Sequence, residues 1–212
     1  MNTKLVVFDL DGTLVDSGQT IYDATIQTFE MLGIKAKLSK EQLDKHLGAH
    51  FQDIFNIYDI HVEDFEYFIE VFKEVYFDFI SSTKMYPNVE STIAALHEKG
   101  IKVALLTTKG QDQAERNLEY FDLAKYFIFI MGRRPGIKVK PDAEPLLFIC
   151  SELNIPIENT LMVGDTEFDI SCARSAGAKC VAVEYGYRTK EKLLELNPDY
   201  IIASIEELLQ IV

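Results

Sequence analysis

The chain is short of positive charge. Its 21 lysines and arginines stand against 34 aspartates and glutamates, a formal net charge of −13. That deficit excludes a general nucleic-acid binder and a protein held on an anionic membrane, because both need a positive field. It does not exclude an anionic small substrate, which responds to local charge and to bound metal. Cysteine is scarce as well. Cys150, Cys172 and Cys180 are odd in number and form no Cys-x-x-Cys pair, which argues against a disulfide framework and against structural zinc. No apolar run reaches the length of a membrane span. The apolar stretch at the start ends at Asp9, too short for a secretory signal, so a cytoplasmic protein is expected. Internal repeats and low-complexity tracts are also missing.

What is there suits a folded domain. Across 212 residues, 48% are apolar and 26% charged, which rules out a wholly disordered chain and allows one domain with an accessory lobe. Short apolar runs with little alternation read as buried strands at residues 5–8, 103–106, 161–163 and 180–183, with two more at 127–131 and 200–202. Missing alternation is expected where both faces of a sheet are covered. Helical patterns fall between the runs: one capped by Asn88 and stopped at Gly100, one after Pro141-Asp142 through Leu153, and one at residues 167–176 closed by Gly177. Strands alternating with helices predict an α/β fold, a Rossmann-like parallel sheet wrapped on both sides.

Residues 19–84 differ, carrying no strand-like run of comparable strength and reading as helical throughout. Ser39 and Gln42 fit a capping box. Val62, Phe65, Phe68, Ile69, Phe72, Val75, Tyr76 and Phe79 form an apolar stripe at helical spacing, read as core. The expected division is an α/β domain of residues 1–15 and 85–212, interrupted by a helical cap of residues 16–84.

Chemistry gathers at the strand ends. The first run leads into Asp9-Leu10-Asp11-Gly12-Thr13. Carboxylates at i and i+2 on an extended chain point to one side, and at the carboxyl end of a parallel strand they face the crevice where open α/β sheets bind ligands. Such a pair invites a hard divalent cation such as magnesium. Asp-Gly between apolar runs is equally a hairpin signal that would pair residues 8–10 with 13–15. Thr107, Thr108 and Lys109 follow the next run, where hydroxyls can hold phosphate oxygens or cap a helix. Lys140 precedes a predicted helix. Gly164-Asp165-Thr166-Glu167-Phe168-Asp169 ends another run, and its aspartates suit a site or a helix start, with Asp165 as N-cap and Asp169 as a first-turn charge.

Each segment alone fits a structural role. Together, their order and spacing resemble the haloacid dehalogenase superfamily over essentially the whole chain. Asp9-Leu10-Asp11-Gly12-Thr13-Leu14-Val15-Asp16-Ser17 matches the family's opening signature, Thr107 falls at its second motif, Lys140 at its third, and residues 164–169 at its fourth. Within the superfamily the chain is similar to the helical-cap, phosphoglycolate phosphatase-like branch. One departure is Thr108, where that branch commonly has asparagine.

The resemblance implies a phosphatase. Asp9 would be the nucleophile and Asp11 the acid and base, with Thr107, Thr108 and Lys140 holding the phosphate. Magnesium would bind at Asp9, at the Asp11 carbonyl and at Asp165, supported by Asp169, and the cap would close over a small phosphorylated metabolite. The superfamily's dehalogenases lack the second aspartate, so Asp11 speaks against dehalogenation. Sugar phosphomutases of the β-phosphoglucomutase kind usually have valine or isoleucine in place of Thr13, and a histidine near Thr20-Ile21-Tyr22 that is missing here. Pyrophosphatase and nucleotidase remain alternatives, as does a non-catalytic phosphate-binding regulator. A monomer and a homodimer are both compatible.

Other polar residues have plainer readings. His46 and His50 are four apart, but Gly48 lies between them and no glutamate follows His46. They read as cap-surface or hinge residues rather than a zinc pair. Arg133 and Arg134 read as exposed loop residues, and Glu191, Glu195, Glu206 and Glu207 as solvated helix faces.

Overall fold

In the computed structural model, which describes residues 2–212, the opening apolar run becomes strand β1 (Leu5–Phe8), every residue of it buried. Met1, where the expected core segment begins, lies outside the described residues. The chain continues through β2 (Val15–Asp16) and four helices, α1 (Gly18–Met31), α2 (Lys40–Asp44), α3 (Phe51–Ile57) and α4 (Phe65–Asp78). It then alternates: β3 (Lys84–Met85), α5 (Val89–Glu98), β4 (Lys102–Gly110), α6 (Gln111–Tyr120), β5 (Phe129–Arg133), α7 (Glu144–Leu153), β6 (Thr160–Gly164), α8 (Glu167–Ala176), β7 (Lys179–Val183), α9 (Lys190–Glu195) and β8 (Tyr200–Ile202). The six long-range strands form one parallel sheet in the order β5-β4-β1-β6-β7-β8. This is the expected α/β, Rossmann-like sheet.

The chain divides into two compact units, residues 2–14 with 85–212 and residues 15–84. In the first, β1 is central, paired with β4 on one side and β6 on the other. Leu5 and Val7 join Ala104, Met162, Leu146 and Ile170 in a core beneath α7 and α8. Val6 and Phe8 alternate to the other face and are equally buried, so both faces are covered and the strand needs no polar alternation. Each such side chain contributes about 1.5–3 kcal/mol by leaving water. The second unit is organised by α4, whose Phe68, Phe72, Val75 and Tyr76 are buried. Phe68 packs edge-on to Phe55 at 5.1 Å and to Phe51 at 5.8 Å between ring centres.

Several local expectations change. The Asp-Gly hairpin does not form: Phe8 pairs in parallel with Leu105 and Val163, and Thr13 and Leu14 turn back to donate to the Leu10 carbonyl at 3.3 and 2.9 Å. The expected strand at 127–131 begins two residues later, because a 3-10 turn at Ala124–Tyr126 uses the Phe127 N–H. Asn88 precedes α5 with φ 63°, and its side chain donates to Glu206 at 2.6 Å instead of capping the helix. Residues 19–84 are not helical throughout, since irregular stretches separate the helices. Val62 precedes the α4 N-cap, Asp64, whose side chain accepts from the Tyr67 N–H at 3.0 Å. The Ser39–Gln42 capping box forms as expected.

Candidate active site

Asp9 is the first residue beyond β1. Its N–H donates to the Val163 carbonyl at 2.9 Å, which fixes it at the carboxyl edge of the sheet, and it is buried. The turn that follows requires Gly12. Its φ is +87°, and a Cβ there would stand 2.3 Å from Asp165 Oδ2. Only glycine meets both demands.

Asp165 lies just after β6 and is fully buried. Its carboxylate accepts from Thr13 Oγ1 at 3.2 Å and from the Tyr187 N–H at 2.8 Å. It is not an N-cap. That position is Thr166, and Asp169 reaches back to accept from the Thr166 N–H at 3.0 Å and hydroxyl at 2.7 Å. The fourth motif therefore builds its own helix start while presenting Asp165 and Asp169 to one point. Gly164 permits this, because a Cβ there would meet Asp169 Cγ at 2.2 Å.

Lys140 enters from the segment before α7. Its Nζ lies 2.7 Å from Asp9 Oδ1 and 2.6 Å from Asp169 Oδ1, with the lysine side chain only 2% exposed. Asp9, Asp165 and Asp169 each offer an oxygen within 4.8 Å of the others. Three buried carboxylates against one lysine leave the cluster short of positive charge. Burial pushes Asp9 up to about 7, with Lys140 pulling the other way and Asp169 adding to the rise. Burial also carries Asp165 well above the usual carboxylate range, and the charges of Asp169 and Asp9 raise it further. At Lys140 burial opposes the charge, but Asp169 and Asp9 outweigh it and hold the ammonium above the ordinary lysine range. An all-oxygen, negatively charged donor set of this kind fits a hard divalent cation.

Asp11 stands apart from that cluster. Its side chain is 16% exposed, and Oδ2 lies 3.3 Å from Lys109 Nζ. Thr107 and Thr108 are not helix caps, because β4 runs on to Gly110 and α6 starts at Gln111. Thr107 is buried and lines a cavity of about 10 Å³ together with Lys140, Arg133 and Arg134. Thr108 follows it, half-buried, and does not line that cavity.

Other polar residues also differ from their plain readings. Arg133 ends β5, and Arg134 is half-buried, donating to Gln111 Oε1 at 2.7 Å and the Ile130 carbonyl at 3.0 Å. Neither is a solvated loop residue. Glu207 folds back on the Ser204 N–H at 2.9 Å rather than lying on a free helix face. His46 packs edge-on to Tyr58 and His50 lies by Phe65. All three cysteines are free and buried.

Four contributors carried no assignable role in the sequence. The Thr13 hydroxyl lies within a recognised motif but had no role there. Tyr187 acts through its backbone N–H, which any residue except proline supplies. Gly186 fits because a Cβ would come within 2.3 Å of Asp165 Cβ, a contact visible only once β7 lies beside β6. Arg188 fixes the same turn with a two-pronged pair to Glu167, at 2.6 and 3.0 Å.

The family model for haloacid dehalogenase-like hydrolase matches residues 6–183. A pyrophosphatase PpaX from Halalkalibacterium halodurans is 32% identical over 213 residues, covering 100% of this chain and 98% of the relative. A phosphoglycolate phosphatase from Vibrio parahaemolyticus is 32% identical over 222 residues, covering 99% and 96%. The solved structure of a haloacid dehalogenase-like family hydrolase from Streptococcus pneumoniae superposes with a TM-score of 0.86 at 24% identity, covering 99% of this chain and 98% of that one. That last likeness concerns the fold. No helix among the described residues is long and apolar enough to cross a membrane.

Proposed function

This chain belongs to the haloacid dehalogenase-like hydrolases and is a phosphatase, and we propose that it is a magnesium-dependent one. Its substrate is a small phosphate monoester of the phosphoglycolate kind, and the reaction passes through an aspartyl phosphate on Asp9. The observation that carries this reading is the meeting of Asp9, Asp165 and Asp169 within 4.8 Å, with Lys140 bonded to two of them.

Asp9 attacks phosphorus as the bond to the leaving oxygen breaks. Asp11 gives its proton to that oxygen. Water then cleaves the aspartyl phosphate, its proton passing to Asp11, which frees inorganic phosphate and restores Asp9. Thr107, Thr108 and Lys140 hold the phosphoryl oxygens as charge redistributes. Asp9, the Asp11 carbonyl, Asp165 and Asp169 would hold magnesium, which when bound supplies the charge that offsets repulsion between carboxylate and phosphate. Lys140 supports the chemistry by keeping Asp9 in place and offsetting part of the cluster's charge.

A second substrate reading, pyrophosphate, is favoured by the relative named a pyrophosphatase. The test is phosphate release from phosphoglycolate, pyrophosphate, a nucleoside monophosphate and a sugar phosphate, each with magnesium and with chelator, against an Asp9→Asn control. Magnesium-dependent release confined to the wild type, fastest with phosphoglycolate, is the expected result. Fastest release from pyrophosphate replaces the substrate. Full activity in chelator, or in a folded Asp9→Asn protein, overturns the mechanism.

A further inference from the structure

One buried cation beside the proposed chemistry takes no part in those steps. Lys109 lies two residues beyond Thr107 on β4, yet its side chain is only 6% exposed. Burying an ammonium is costly unless it is paired, and here the Nζ lies 3.3 Å from Asp11 Oδ2. The same residue also holds the other side of the site, because its backbone N–H donates to Thr107 Oγ1 at 3.2 Å. Lys109 thus touches the second aspartate of the first motif with its side chain and the threonine of the second motif with its backbone.

The local fold makes this reach possible. β4 and β1 are parallel neighbours whose last pair is Phe8 with Leu105, so the chain leaving β1 after Phe8 starts beside the part of β4 that runs on to Gly110. The ladder between β4 and β5 shifts register between Leu106 and Gly110. That irregular stretch contains Thr107 and Lys109.

We propose that Lys109 is the positioning residue for Asp11, holding its carboxylate where it meets the leaving-group oxygen. This rests on the reading of Asp11 as the leaving-group acid. Asp11 follows β1 by three residues and is more exposed than Asp9, so a buried, fixed partner decides much of its placement. Misplacing a reacting group by about 1 Å costs on the order of 100-fold in rate.

The test is single-turnover release of the leaving group in wild type, Lys109→Met, Lys109→Arg and Asp11→Asn. Two substrates are used, an alkyl phosphate whose departing oxygen needs a proton and p-nitrophenyl phosphate, which needs none. Lys109→Met is expected to slow the alkyl substrate roughly 10- to 100-fold, to leave p-nitrophenol release within about 3-fold of wild type, and, in a parallel steady-state assay, to leave KM nearly unchanged. Lys109→Arg should recover part of the loss. Equal slowing of both substrates, or no slowing of either, overturns the inference. If Lys109→Met does not fold, the same comparison on Lys109→Arg decides between these outcomes. If Asp11→Asn itself slows both substrates equally, the acid assignment fails and the inference falls with it. If Asp11→Asn discriminates and the Lys109 variants do not, only the inference falls.

Discussion

Lys140 is the charge on which the buried cluster balances. It is bonded to Asp9 and Asp169 at 2.7 and 2.6 Å in a region almost closed to solvent. Removing one partner of a buried ion pair is far costlier than removing both, because the other is left uncompensated. Lys140→Met should therefore lose about 3–5 kcal/mol in urea denaturation performed with chelator, and a loss under about 1 kcal/mol would show that the carboxylates find another partner. Asp9→Asn acts in the opposite sense. It removes one of the crowded carboxylates, so the melting temperature in chelator should hold or rise. Phosphate release should fall about 1,000-fold or more, because an amide is a poor nucleophile. Loss of activity together with loss of folded structure would contradict that separation.

Among the elements, turns do the positioning and helices supply the anchors. Asp165 is clasped by two turns, one from Gly12-Thr13 and one from Gly186-Tyr187. A Cβ at residue 186 would stand 2.3 Å from Asp165 Cβ and 2.5 Å from the Gly12 carbonyl oxygen. Neither is the far end of a flexible chain, so the turn must move. Gly186→Ala should cost about 1–3 kcal/mol from overpacking and weaken magnesium affinity, as read by titration calorimetry. Unchanged affinity would mean that Asp165 tolerates the shift. In the helical unit, the Asp64 carboxylate satisfies the Tyr67 N–H at the start of α4. Asp64→Ala should cost about 1 kcal/mol, measured as a drop in the urea midpoint.

For the molecule as a whole, the net charge is −13, and the cluster at the sheet edge concentrates buried negative charge beside one lysine. A cation that binds only the folded state stabilises it by mass action. Magnesium at about 100 times its dissociation constant should add about 2.7 kcal/mol and raise the melting temperature. Chelator should reverse the shift, and Asp165→Asn should abolish it. An unchanged melting temperature in the wild type would argue against a cation at this cluster.

The α/β architecture was legible in residue order alone, because strands buried on both faces leave uninterrupted apolar runs. So was the succession of strand ends where polar residues collect. Residue pattern left the Asp-Gly turn ambiguous between hairpin and crevice. The pairing of β1 with β4 and β6, between strands far apart in sequence, resolved it. Packing of distant segments brought Asp9, Lys140, Asp165 and Asp169 together and set Lys109 against Asp11. Asn88 and Arg134 show the same limit, since Glu206 and Gln111, distant in sequence, engage one side chain read as a helix cap and another read as exposed. The physical reason is range. Periodicity and turn chemistry act over a few residues and can be read along the chain. The neighbours of a buried charge are fixed only when distant strands pack together.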